Sequence, residues 1–84
     1  MAAPAMAATI GNKVHNCYGI YWNTDWNQEC GSGGASETGS YESEADCSWS
    51  GDQSLEKHRN AGSTASYDGD DCLNSVWVVV TRYR

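Results

Sequence analysis

Four cysteines, Cys17, Cys30, Cys47 and Cys72, lie in a chain of 84 residues and limit what it can fold into. Isoleucine, leucine and valine together number nine, and phenylalanine is absent. A chain this short buries a small share of its surface, and with so few aliphatic side chains it needs covalent cross-links. An even cysteine count in such a chain reads as two disulfides and an oxidising compartment. Four cysteines allow three connectivities. The sequential one, Cys17 with Cys30 and Cys47 with Cys72, is preferred, because it closes a strand-turn-strand unit and ties mid-chain to the last strand. By loop entropy each closure contributes roughly 3 kcal/mol. A zinc site is disfavoured, since no two cysteines stand close in sequence.

The first nine residues are alanine-rich and resemble the tail of a signal peptide, with Ala5 and Ala7 as the small residues a peptidase inspects. They are read as a signal remnant or disordered tail, and residues 10–84 as a single β domain. Secretion is therefore expected. No apolar run approaches the ~20 residues of a membrane helix. Eleven acidic against five basic residues give a net charge of −6. Such a surface repels phosphate backbones, so neither nucleic acid nor membrane is an expected partner, and the chain reads as a monomer.

Strand character dominates. Lys13 to Trp22 reads as a strand with Val14, Tyr18, Ile20 and Trp22 on one face and Cys17 and Tyr21 on the other. Asn23-Thr24-Asp25 signals a turn, and Trp26 to Cys30 a returning strand. Gly31 to Ser40 is glycine- and serine-rich and reads as an exposed loop. Tyr41 to Trp49 reads as an edge strand. Ser54 to Asn60 is granted only a short helical turn. Cys72 to Tyr83 is the strongest strand. Val76, Val78 and Val80 face one way, Trp77, Val79 and Tyr83 the other, which predicts a central strand covered on both sides. The expected fold is all-β, a small disulfide-stabilised Greek-key β-sandwich.

Four tryptophans and five tyrosines replace the missing phenylalanines. Most must serve the core, which leaves a few for a ligand. The turn between Cys17 and Cys30 carries three aromatics within six residues. Tyr21, Trp22, Asp25 and Trp26, with Tyr41, are the expected binding residues, pre-ordered by the first disulfide for a protein or carbohydrate partner. A second candidate is the acidic loop before the last strand. Asp68, Asp70 and Asp71 surround Gly69, and carboxylate oxygens on a tight loop suit calcium. No other cofactor is expected. No catalytic residue is assigned: His15 and His58 read as surface histidines, and no nucleophile motif or phosphate-binding loop is present.

The segment from Leu55 through Gly62, Ser66-Tyr67, Asp70-Asp71 and Ser75 into Val76–Val80 resembles the second half of a βγ-crystallin Greek key. That resemblance implies a calcium-binding β-sandwich, as in the small secreted bacterial inhibitors and killer-toxin-like proteins of this class. Asn74 stands where the family has a Ser/Thr hydroxyl. The upstream aromatics Ile20-Tyr21-Trp22 and Trp26 are similar to the family's aromatic hairpin without its glycine. The cysteine layout also looks like that of the small α-amylase inhibitors of Streptomyces. Their Trp-Arg-Tyr triplet is missing here, so only the architecture carries over. The leading expectation is a non-catalytic binding or inhibitory protein. A small secreted enzyme or natural-product cyclase with an aromatic-lined pocket is the alternative, and a killer-type antimicrobial protein a further one.

Overall fold

The computed structural model describes residues 7–84, and the expected signal remnant falls largely outside them. All regular structure among the described residues is β. The strands are β1 (Thr9–Ile10), β2 (Cys17–Trp22), β3 (Asp25–Cys30), β4 (Gly39–Cys47), β5 (Gln53–Arg59), β6 (Tyr67–Asp68) and β7 (Val76–Tyr83). They form two antiparallel sheets, ordered β1-β2-β3-β6 and β5-β4-β7. Thr9, at the end of the expected tail, pairs with Tyr21. The two sheets meet where β2 crosses β7. Gly19 lies so close to Val79 that a Cβ there would stand 2.2 Å from Val79 Cγ1.

Both disulfides take the sequential pairing, Cys17–Cys30 and Cys47–Cys72. Each anchors a small apolar cluster. One joins Cys17, Ala35 and Tyr41 with Cys30, and the other joins Cys47, Cys72, Trp26, Ala45, Val76 and Val79 with Tyr21 and Leu55. Between the sheets lies a buried polar network. Gln28 Nε2 donates to the Tyr41 carbonyl at 3.0 Å and to Ser43 Oγ at 2.9 Å, and Ser43 Oγ lies 2.8 Å from Thr81 Oγ1. Arg59, also buried, donates from Nε to Gln28 Oε1 at 3.0 Å and from an Nη to the Gln28 carbonyl at 3.2 Å. Its guanidinium stacks 4.7 Å from the Tyr67 ring centroid. Burial lowers the Arg59 pKa from its ordinary value, and the tyrosines facing it oppose that shift. Each side chain of this network therefore has a partner, which is the condition for burying it.

Several local expectations are corrected. Residues 53–59 form a full strand rather than a helical turn, because Gln53, Leu55, Lys57 and Arg59 alternate inward. β4 is the central strand of its sheet, and β7 lies at the edge. On β2 the inward face is Cys17, Gly19 and Tyr21, since glycine makes room for the facing sheet. On β7 the alternation breaks: Asp46 pairs with Val78 and Cys47 with Val76, so Trp77 is an extra residue in a bulge. The buried residues are therefore Val76, Val79 and Thr81 rather than one parity of the valine run. Residues 31–40 are exposed only in part. Gly34 and Ala35 are buried, where Gly62 N–H donates to the Ala35 carbonyl and Ala35 N–H to that of Ser63.

Candidate functional site

Asn23 and Thr24 connect β2 to β3 in a two-residue turn, and Asn23 supplies the left-handed residue such a turn needs, at φ 44°. The turn then receives the loop that follows β6. Cys72 N–H donates to the Thr24 carbonyl at 3.0 Å and Val76 N–H to the Asn23 carbonyl at 2.6 Å. Gly69 N–H donates to the Trp26 carbonyl at 2.9 Å. The loop is thus laced to the turn along its backbone, and the two sequence candidates form one site.

Trp26 lies beneath it. The indole is 1 % exposed, and its Nε1–H donates to the Asp70 carbonyl at 2.7 Å. Gly69 is required by this packing, since a Cβ there would stand 2.1 Å from the indole ring. The glycine among the carboxylates therefore seats the loop on Trp26. Above the indole opens a cleft of about 340 Å³, walled by Trp22, Asp25, Asn27, Asp68 and Asp71. With its amide nitrogen facing them, Asn27 donates to the Trp26 carbonyl and to Asp68 Oδ1, both at 2.8 Å. Asp25 and Asp71 are exposed, and Trp22 is half-buried.

The electrostatics are one-sided. A side-chain hydrogen bond with Asp25 raises the Asp71 pKa above the usual carboxylate value. Desolvation and the charges of Asp25, Asp68 and Asp70 add to the shift. Two carboxyls in hydrogen-bonding reach cannot both ionise freely, so Asp71 holds its proton more tightly than an isolated aspartate does. Such a pair accepts N–H or O–H donors, and it gains most from a donor that brings positive charge.

The sequence-derived residues divide. Trp22, Asp25, Trp26, Asp68 and Asp71 meet at the cleft. Tyr21 packs against the core cluster of Trp26 and Val79. Tyr41 is fully buried on the other side of the molecule, donating to the Glu37 carbonyl, with burial as the first cause of its raised pKa. It has no face to offer a ligand. Asp70 contributes its carbonyl to Trp26 and is not part of the cleft wall. Among the described residues, no group of three or more His, Cys, Asp or Glu side chains stands close enough to hold a metal ion. Neither histidine lines the cleft. His15 is exposed and stacks edge-on against Tyr83 with centroids 4.5 Å apart. Sequence reasoning missed Asn27 entirely; its only signal was alternation with the buried Trp26 and Gln28. Comparisons with known proteins find no family model, no curated protein and no solved structure that matches the chain.

Proposed function

We propose that the protein is a secreted, non-catalytic binding or inhibitory protein whose cleft receives a basic side chain of a protein partner. The observation that supports this reading is the facing pair Asp25 and Asp71 beside the half-buried ring of Trp22. A guanidinium or ammonium there offsets the repulsion between the facing carboxyls, and the indole gives its aliphatic stem an apolar wall. The floor of Trp26 and the laced loop are already ordered, so little conformational entropy is lost on binding. Two disulfides in a small domain accord with an extracellular setting.

A carbohydrate is the second reading, favoured by one indole standing beside carboxylate and amide groups that can accept and donate to hydroxyls. The two are separated by following the indole N–H resonances of Trp22 and Trp26 by NMR. N-acetyl-arginine amide, a panel of soluble oligosaccharides and calcium are titrated in turn. The arginine derivative is expected to shift both resonances, with an affinity that weakens as pH falls through the carboxylate range. Shifts that persist in a Trp22→Ala, Asp25→Asn, Asp71→Asn variant would sink the cleft as the site. Saturable shifts with calcium alone would return the loop to cation binding.

A further inference from the structure

The six aspartates gather at one end of the molecule. Asp25 begins at the β2–β3 turn, Asp46 and Asp52 flank the β4–β5 turn, and Asp68, Asp70 and Asp71 lie on the loop laced to the first turn. The five glutamates and five cations occupy the remainder. Every ion pair among the described residues joins Arg82 or Arg84 to Glu42, Glu44 or Glu56, and none includes an aspartate. Lys57 and Arg59 instead lie over the Tyr67 ring, and Lys13 over Tyr18. Five glutamates offset five cations, so the whole net charge of −6 is that of the six aspartates.

The same end exposes three large apolar side chains around the Cys47–Cys72 disulfide. Trp49 is 96 % exposed, Leu73 87 % and Trp77 74 %. Their backbones are held together: Ser48 N–H donates to the Ser75 carbonyl at 2.9 Å, and Trp77 is the bulged residue opposite Asp46 and Cys47. None of the three serves the fold. Trp49 even works against it, because its φ of 62° places a bulky side chain in the left-handed region. That conformation is strained for any residue with a Cβ, and glycine would avoid it. A chain with nine aliphatic residues thus leaves a leucine and two tryptophans in water at its acidic end. Scattered exposed apolar groups need no explanation, but three that flank one paired stretch of backbone do.

We infer that this end is a docking surface for a basic protein that presents an apolar groove bordered by lysine or arginine. Trp49, Leu73 and Trp77 supply the apolar anchors, and the aspartates supply complementary charge and attraction at long range. Charge selects this occupant. A second copy would set one acidic end against another, and anionic lipid or nucleic acid would be repelled. The inference deepens the protein-binding reading of the cleft and rests on it. Its anchors, however, lie outside the cleft walls, so each idea can fail alone.

The test uses a model amphipathic peptide of leucine and lysine, and an isomer of the same composition whose leucines form no stripe. Binding is followed by intrinsic tryptophan fluorescence. The protein is expected to bind the amphipathic peptide at least about tenfold more tightly than the isomer. Affinity should fall steadily with added salt. A Trp49→Ala, Leu73→Ala, Trp77→Ala variant should lose that preference while its melting temperature is maintained. Trp22→Ala, which removes a wall of the cleft, should keep the preference. Loss in Trp22→Ala alone would leave the cleft reading standing and overturn this one. No preference between the peptides, a preference undiminished in the triple variant, equal binding to phosphatidylcholine vesicles, or dimerisation in sedimentation would each overturn it as well.

Discussion

Asp71 and Gln28 show how a single polar side chain can be tied to either the surface or the interior. Gln28 is read from sequence only as a position on a returning strand. In the structure it joins β4 and Arg59 across the gap between the sheets. Asp71 stays in water and is perturbed by its neighbours. Its pKa is raised in the folded state, so the native protein binds more protons than the unfolded chain just above the ordinary aspartate range. Stability from this group is full below about pH 4. It is lost as pH rises through the raised value. Asp71→Asn is therefore expected to flatten the dependence of melting temperature on pH between acid and neutral, and to melt higher than the parent at neutral pH. Thermal denaturation across that range checks it; an unchanged slope would mean that the Asp25 contact does not hold a proton.

At the scale of elements, the join between sheets depends on a residue with no side chain. Gly19 admits Val79, and Val79 lies against it without exposure. Gly19→Ala is expected to cost about 2 kcal/mol through overpacking. Val79→Ala should cost about 2 kcal/mol by leaving a void. The double variant should cost less than the sum, because the new methyl occupies part of the space that valine vacates. A double-mutant cycle in urea measures this, and strict additivity would show that the two positions do not share a contact. Strand existence was legible wherever apolar and polar residues alternate, as in β4. It was not legible in β5, whose inward positions include Gln53, Lys57 and Arg59. The inward places of Lys57 and Arg59 depend on Tyr67 and, for Arg59, on Gln28, which come from distant strands.

Across the whole molecule, the two disulfides divide the labour. Cys17 and Cys30 are directly paired within one antiparallel ladder, so that bond reinforces a hairpin. Cys47–Cys72 ties the end of β4 to the loop seated on the β2–β3 turn, and spans 25 residues against 13 for the first. Replacing Cys47 and Cys72 by alanine is expected to cost roughly 3 kcal/mol. That exceeds the loss of the shorter bridge by roughly 0.6 kcal/mol, as expected from the longer loop. Urea denaturation of the two double variants checks the order. An equal or reversed ranking would mean that native packing, rather than loop closure, sets their value. The charged end and the cleft sit at the Cys47–Cys72 end of the molecule, so this bridge also holds the proposed docking surface in shape.

The cysteines, the turn at Asn23-Thr24 and the strand periodicity are local quantities. They were enough to predict an all-β chain, to favour the sequential disulfides over the other two connectivities and to mark the aromatic turn and acidic loop as candidates. Which aromatic faces water was decided only in three dimensions. Trp26 is buried because the 69–71 loop folds onto it. Trp77 is exposed because a bulge shifts the parity of β7, and Tyr41 is internal because Cys17, Ala35 and Cys30 pack over it. A side chain's burial depends on which distant backbone covers it, and that backbone's position is a property of the sheets together. The gathering of all six aspartates at one end has the same origin: they are scattered from position 25 to position 71 in the chain, and only the paired turns bring them together.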